Sequence, residues 1–389
     1  MTLRCLLNLW RFSSMKKDIT VTIDSSSFPK SQVQYYNPLL TVNKIDVNCM
    51  LIHTALWTRP PKLTGFHLSD FWAWLRYFPA FSKTSSDLRL RKEWKDIDPH
   101  QKTILSDEIG VGSTTYTLIN TLSFQGFIDA IYVLETLNLT HLLLKKSKNG
   151  KGKTPDYIGL DNFGRVIALE CKGTQNKIKD LYKAITKGIE QKENLTKNPT
   201  GPIKIGLVGG IFIPQFDNPE SALIHFRDPD WNEFNEIISE VAPEELAKAI
   251  IRGSVIKQLY LAGANNSANE LSNYIKGNDF ELSAQATQEL KSFEREIIVF
   301  SHNFRNPVEG GVSNIKFSAQ IDNKIFPLIE GLTSNSTKAS VLINELSVTK
   351  KNFDRRHNDR SWISFENDYS GMIVSPHGFK FKLNYKMND

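Results

Sequence analysis

The sequence TPDYIGLDNFGRVIALECK, residues 154–172, contains two short apolar runs on either side of a turn. The runs cover 157–160 and 165–172, and the residues between them, DNFG at 161–164, are typical of a tight β-turn. Residues 154–172 therefore predict a β-hairpin.

The hairpin is expected to gather charged side chains at one end. Side chains alternate between the two faces of a strand, so Glu170 and Lys172 share one face and Cys171 points to the other. The start of the first strand returns beside the end of the second, which places Asp156 next to Glu170. Two carboxylates and one lysine are thus predicted on one side of a sheet.

The flanking segments predict an α/β core. Apolar residues at helical spacing predict one helix over 123–139 and another over 178–195. The run IKIGLVGGIFI at 203–213 is typical of a buried strand. The order helix, strand, turn, strand, helix, strand defines an α/β core over 106–226, with a central mixed sheet flanked by helices.

Two further regions lie outside this core, an N-terminal region at 1–105 and a C-terminal region at 227–389. At the start of the core, SDE at 106–108 is expected to begin a helix that Gly110-x-Gly112 interrupts. The C-terminal region is expected to be α+β: a helix over 244–261 and strand-rich segments at 297–300, 315–329 and 371–385.

The composition excludes several classes of protein. The 389 residues are 40% hydrophobic and 23% charged, which argues against a disordered chain. No apolar run approaches the roughly 20 residues that span a bilayer, and three scattered cysteines make neither a disulfide framework nor a cysteine zinc site. The opening segment 1–12 is too short for a secretion signal, and Met15 is an alternative start. A cytoplasmic protein is expected.

The net charge of +6 is unevenly distributed. Residues 140–200 carry thirteen basic and six acidic side chains, a net charge of +7, and the remaining chain is nearly neutral. A basic block of this kind favours a polyanionic partner, because lysines on one surface bind phosphates and release counterions. The alternative is a solvated helix-and-loop face.

The predicted charged group suits phosphodiester cleavage. Paired carboxylates, here Asp156 and Glu170, hold Mg²⁺ or Mn²⁺ through oxygen, and the carbonyl of Cys171 is a candidate third ligand. Such a cation polarises a phosphate and lowers the pKa of bound water. Lys172 would orient the attacking water or neutralise the charge that develops on phosphorus.

With Pro155-Asp156, a spacer and Glu170-x-Lys172 on a hairpin between two helices, the sequence resembles the PD-(D/E)XK nuclease superfamily. The resemblance covers 124–195, and the segments LECKGTQ at 169–175 and AITKGIEQK at 184–192 also look like bacterial members. It implies a restriction-endonuclease-like core with additional N- and C-terminal regions.

The resemblance also implies roles for individual residues. Asp156 and Glu170 would be metal ligands and Lys172 the catalytic lysine. The family often adds an acidic residue, usually Glu, on the helix before the first strand, and Asp129 is the candidate, with Glu135 as its rival. Six residues are expected to contact nucleic acid: Lys148, Lys151, Lys153, Gln175, Lys187 and Gln191. For Gln175, Lys187 and Gln191 the alternative is an exposed polar position with no such contact.

The implied function is a metal-dependent endonuclease acting on DNA rather than RNA, in a setting of restriction or phage defence. Two alternatives remain open: a catalytically silent nuclease fold that serves as a nucleic-acid-binding or assembly module, and a purely structural interaction protein. Assembly as a homodimer or with a partner protein is also open.

Overall fold

The computed structural model describes most of the chain, namely residues 15–62, 75–140, 154–161, 163–190, 203–228, 238–275, 278, 280–305, 312–346 and 370–388. The segments 1–12 and 145–153 lie outside these residues.

Most strands of the described residues belong to a central sheet or to a smaller antiparallel one. The strands are β1 (Lys16–Asp18), β2 (Thr20–Ile23), β3 (Lys44–Asp46), β4 (Gly126–Asp129), β5 (Tyr157–Leu160), β6 (Val166–Thr174), β7 (Ile203–Phe212), β8 (Leu223–Arg227), β9 (Ile297–Arg305), β10 (Val312–Ile321), β11 (Ser370–Val374) and β12 (Phe379–Asn388).

Helices flank the central sheet and connect it to the smaller one. They are α1 (Lys30–Tyr36), α2 (Val47–Thr58), α3 (Pro99–Leu122), α4 (Ala130–Thr136), α5 (Ile178–Glu190), α6 (Pro243–Ala262), α7 (Asn265–Ser272), α8 (Ala284–Ser292) and α9 (Ile325–Thr333). In the described part of the chain, no helix combines the length and the apolar character needed to cross a bilayer.

The central sheet has six strands in the order β2-β8-β7-β6-β5-β4 and is mixed. Strands β4, β5 and β6 are antiparallel neighbours, whereas β6 and β7 run parallel through the crossover helix α5. The edge strand β2 pairs parallel with β8 and comes from the N-terminal region. The chain is therefore a mixed α/β protein, as expected, whose central sheet recruits a strand from outside 106–226.

The predicted β5–β6 hairpin is confirmed, and its turn has a clear chemical cause. The buried carboxylate of Asp161 accepts from the backbone N–H groups of Phe163 and Arg165 at 2.9 and 2.8 Å and pairs with the Arg165 guanidinium at 2.6 Å. Gly164 completes the turn with φ of +73°, which glycine adopts without strain. Strand β6 and helix α5 begin within one residue of the expected positions, and β7 begins where expected.

Helices cover both faces of the sheet. On the face of Cys171 and Gly173, α3 approaches so closely that a Cβ at Gly173 would lie 1.8 Å from the Ser106 carbonyl oxygen. On the face of Glu170 and Lys172, α5 packs Leu181 and Ile185 onto β7. Because alternate residues of a strand lie on opposite faces, Glu170 and Lys172 are separated from the main core.

The predicted helix over 123–139 is wrong. Ser123 has a left-handed backbone and ends α3, and the next residues form β4, which pairs antiparallel with β5. Only 130–136 is helical. The apolar residues of β4 are buried on both faces, and such a run fits a helix and a central strand equally well by periodicity.

The predicted interruption at Gly110-x-Gly112 is also wrong, because α3 continues through it to Leu122. A Cβ at Gly110 would lie 2.8 Å from the backbone carbonyl carbon and oxygen of Lys172. The glycine therefore permits contact between the helix and β6, and that packing offsets its intrinsic cost of about 1 kcal/mol in a helix.

The C-terminal region contributes the antiparallel sheet β11-β12-β10-β9 and the long helix α6. The prediction of α6 is confirmed at both ends to within one residue, and the helix is buried along nearly its whole length against β4 and β5. The strand-rich segment predicted over 315–329 is correct only to Ile321, since the rest begins α9.

Candidate active site

The charged group predicted by the hairpin forms at the end of the sheet where β5 begins. Tyr157 pairs with Leu169, so the preceding Asp156 lies at the level of Glu170. The backbone N–H of Cys171 donates to Asp156 Oδ2 at 2.9 Å, which fixes this carboxylate against β6. The Asp156 carbonyl accepts from the N–H of Ala130 at 3.2 Å and joins the site to the end of β4.

Glu170 and Lys172 contact each other on the same face of β6. Lys172 Nζ donates to Glu170 Oε1 at 2.7 Å, and the two side chains keep 33% and 16% of their surface exposed, the lysine being the more exposed. Both groups therefore remain accessible to a ligand that approaches this end of the sheet.

The electrostatics of the group reflect two neighbouring carboxylates. Nearby protein atoms displace water from the Asp156 carboxyl, although the residue as a whole is exposed. Together with the Glu170 charge they raise the pKa of this carboxyl to about 6. Burial by itself would lower the pKa of Lys172, but the adjacent Glu170 and Asp156 outweigh it and raise that pKa. Lys172 thus stays protonated, while Asp156 changes charge close to neutrality.

The thiol and the backbone of Cys171 lie on different sides of β6. Its thiol is buried on the opposite face, and burial raises the thiol pKa well above its ordinary value. Within a strand, the N–H and C=O of one residue leave on the same side. Since the Cys171 N–H reaches Asp156, its carbonyl is directed to the same side of β6 as that carboxylate.

Asp129 lies at the end of β4 rather than on a preceding helix, and its carboxylate pairs with Lys257 of α6. Its charge contributes to the raised pKa of Asp156, so it is close to the site. Its rival Glu135 is on α4 and forms a surface ion pair with Lys62 at 3.1 Å.

The helix that precedes β4 is α3, and it carries two acidic residues that the sequence reasoning did not consider as site residues. Burial raises the pKa of Asp107, an effect that the charge of Lys172 partly offsets. The charge of Glu108 is among those that add to burial in raising the pKa of Tyr157, the residue that follows Asp156. The SDE pattern at 106–108 is the available signal, but its prediction as the start of a helix is wrong, because α3 begins at Pro99.

The site residues fit a hard divalent cation. Two carboxylates and a carbonyl oxygen are the donors that Mg²⁺ or Mn²⁺ prefers, and Mg²⁺ commonly takes only one or two protein carboxylates and keeps several waters. The repulsion between the Asp156 and Glu170 carboxylates contributes to the raised pKa of Asp156, and a bound cation would relieve it. Within the described residues, no cluster of three or more His, Cys, Asp or Glu side chains has the geometry of a metal site.

The predicted nucleic-acid contacts have different outcomes. Lys148, Lys151, Lys153 and Gln191 lie outside the described residues, and Lys187 lies in α5.

Gln175 does not reach the surface, which corrects its assignment as a contact residue. It is 5% exposed, and its amide nitrogen donates to the Lys102 carbonyl and the Ser106 hydroxyl at 2.7 and 2.9 Å. Its oxygen accepts from Trp94 and Gln215 at 3.0 and 3.1 Å. Gln175 therefore ties the end of β6 to α3.

Comparisons with protein-family models, curated proteins and solved structures give no match for this chain. Its function must be inferred from the site itself.

Proposed function

We propose that this chain is a divalent-metal-dependent nuclease of the PD-(D/E)XK type, with Asp156, Glu170 and Lys172 as its central residues. The observation that carries the proposal is the meeting of Asp156 with Glu170 and Lys172 at one end of a mixed sheet. Asp156 is held by the Cys171 amide at 2.9 Å, and Lys172 contacts Glu170 at 2.7 Å. The β-hairpin followed by α5 and the parallel β7 supports a restriction-endonuclease-like core.

Asp156 and Glu170 would hold Mg²⁺ or Mn²⁺, with the Cys171 carbonyl as a third oxygen donor. The bound cation would supply Lewis-acid polarisation of the phosphate and a more acidic water. Lys172, a partly exposed and protonated amine, would orient the attacking water and neutralise negative charge on the phosphate. Asp129 is assigned to shaping the edge of the site, since it is paired with Lys257.

DNA is the proposed substrate. The resemblance to PD-(D/E)XK nucleases also supports a proposed role in restriction or phage defence. The net charge of +7 over 140–200 supports a polyanionic substrate near the site. The charge favours neither DNA nor RNA, so the substrate test must include both.

The test measures cleavage of plasmid DNA, single-stranded DNA and single-stranded RNA with Mg²⁺, with Mn²⁺ and with a chelator. Wild-type protein is compared with Glu170→Gln and Lys172→Met. Each substitution is expected to lower the rate by about 100-fold or more, the range for loss of a group that acts in the transition state. Glu93→Gln is the matched control, because Glu93 is exposed and pairs only with Arg91 among the described residues.

Cleavage that persists in both Glu170→Gln and Lys172→Met would show that the site assignment is wrong. Salt-sensitive DNA binding without cleavage, in wild type and variants alike, would instead support the catalytically silent binding module. Circular dichroism of each variant shows whether a loss of activity reflects unfolding.

A further inference from the structure

A cavity lies apart from the hairpin site, between α6 and the C-terminal ends of α4, α7 and α9. Its volume is about 730 Å³, within the range of pockets that bind small molecules. Residues of five separate segments line it, among them Asn138, Arg252, Tyr274 and Lys338. None of the proposed nuclease residues contributes to it.

Arg252 is the unusual residue of this cavity. It is only 8% exposed, yet within the described part of the chain its guanidinium has no hydrogen-bond acceptor and no carboxylate partner. The guanidinium carbon instead lies over the Tyr274 ring, 5.0 Å from its centroid, in a cation–π contact. The Tyr274 hydroxyl donates to the Thr333 carbonyl at 2.8 Å, so the ring supports the guanidinium from a fixed position.

A largely buried guanidinium without an anion is energetically costly, because its N–H donors have lost part of their water. No side-chain nitrogen of Arg252 is both fully enclosed and without a partner, and the residue lines the cavity. Its donors therefore face the cavity rather than a sealed core. An anion bound there would satisfy them.

The neighbouring charges favour an anion. Four cations and two carboxylates line the cavity, and one of the cations, Lys62, pairs with Glu135 outside it. The Glu244 carboxylate accepts from the backbone N–H of Ala339 and forms no ion pair with Arg252 in the described residues. Lys248 donates to the Ser334 carbonyl at 2.7 Å.

We propose that this cavity binds a small molecule through a phosphate group held by Arg252. The planar guanidinium matches phosphate in a bidentate geometry, and it lies over the Tyr274 ring. The volume accommodates a phosphate ester of nucleotide size as well as free phosphate. The site is independent of the nuclease proposal, because it shares no residue with it.

Isothermal titration calorimetry at constant ionic strength tests the site with inorganic phosphate and with adenosine monophosphate as probes. Wild type is expected to bind at least one probe saturably, and Arg252→Met to weaken that binding by about tenfold or more, since charged hydrogen bonds are lost. Lys44→Met is the control, because Lys44 is exposed and does not line the cavity.

Arg252→Lys provides a second variant that keeps the charge and most of the volume but lacks the planar fork. It is expected to bind the same probe more weakly than wild type. Binding of adenosine monophosphate alone supports a phosphate ester, and binding of both probes supports recognition of the phosphate itself. Absence of saturable binding, equal affinity in the Arg252 variants, or acetate binding as tightly as phosphate would overturn the proposal.

Discussion

The pair formed by Lys257 and Asp129 connects the C-terminal region to the edge of the candidate active site. Lys257 is completely buried in α6 and donates to the Trp57 carbonyl at 2.7 Å, while the Asp129 side chain keeps 27% of its surface exposed. Burial lowers the pKa of Lys257, and the Asp129 charge partly offsets this. The Asp129 carboxylate therefore helps Lys257 to remain charged in this buried position.

Replacement of Lys257 by Met is expected to lower the free energy of unfolding by about 3 kcal/mol. Breaking a buried ion pair costs about 3–5 kcal/mol because the remaining charge has no partner. Asp129 retains some contact with water, which places the cost at the lower end of this range. The unpaired carbonyl of Trp57 contributes to the same loss.

The reverse variant, Asp129→Asn, leaves a buried ammonium group and should depend on pH. Lys257 already has a pKa below its ordinary value of 10.5 in the folded state, and loss of the carboxylate lowers it further. Between the folded and unfolded pKa values the unfolded chain binds more protons, so stability rises with pH. The deficit of Asp129→Asn should therefore be present below the folded pKa of Lys257 and shrink as the pH rises through it.

Guanidinium unfolding followed by tryptophan fluorescence measures these effects in Lys257→Met, Asp129→Asn and the double variant. The double variant should lose less stability than the sum of the two single variants, with a coupling of about 1 kcal/mol or more. Lys44→Met, which removes one member of an exposed pair with Asp18, should stay within about 0.5 kcal/mol of wild type. Additive losses, or a Lys257→Met variant as stable as Lys44→Met, would refute the reasoning.

Three further predictions concern the sheet and its site. Glu170→Gln should lower the pKa of Asp156 from about 6, because the neighbouring negative charge is removed. Carbon-13 NMR titration of the metal-free protein measures this pKa. An unchanged value would contradict the proximity of the two carboxylates. Because the folded pKa of Asp156 exceeds its ordinary value of 3.8, this group's contribution to stability falls as the pH rises through that interval, and Glu170→Gln should flatten the fall in denaturation measured against pH. Gly173→Ala should cost about 3 kcal/mol in guanidinium unfolding, since its Cβ would lie 1.8 Å from the Ser106 carbonyl oxygen, and a loss below about 1 kcal/mol would mean that α3 moves away freely. Gln175→Leu should lower stability by about 2 kcal/mol through its lost hydrogen bonds and leave DNA affinity unchanged, whereas weaker DNA binding at full stability would restore its role as a contact.

Local sequence information was sufficient for the hairpin and for the convergence of its charged residues. The turn is specified by Asp161 and Gly164 within four positions, and strand alternation determines which side chains accompany Glu170. Strand β5 has exactly the predicted limits, Tyr157–Leu160, because the turn and the apolar run are adjacent in the chain.

The surroundings of the site depend on contacts between residues far apart in the sequence. Residues 126–129 have an apolar pattern compatible with helix or strand, and pairing with β5 selects the strand. The glycines of α3 look like helix breakers until β6 lies against them.

The sequence by itself determined which charged groups meet at the hairpin, because strand geometry and a short turn act over about twenty residues. The tertiary structure alone decided that Asp129 pairs with Lys257, more than one hundred residues away, and that Arg252 is buried beside Tyr274 without an acidic partner in the described residues. Such pairings depend on how α6 packs across the sheet, and no local pattern of residues specifies that packing.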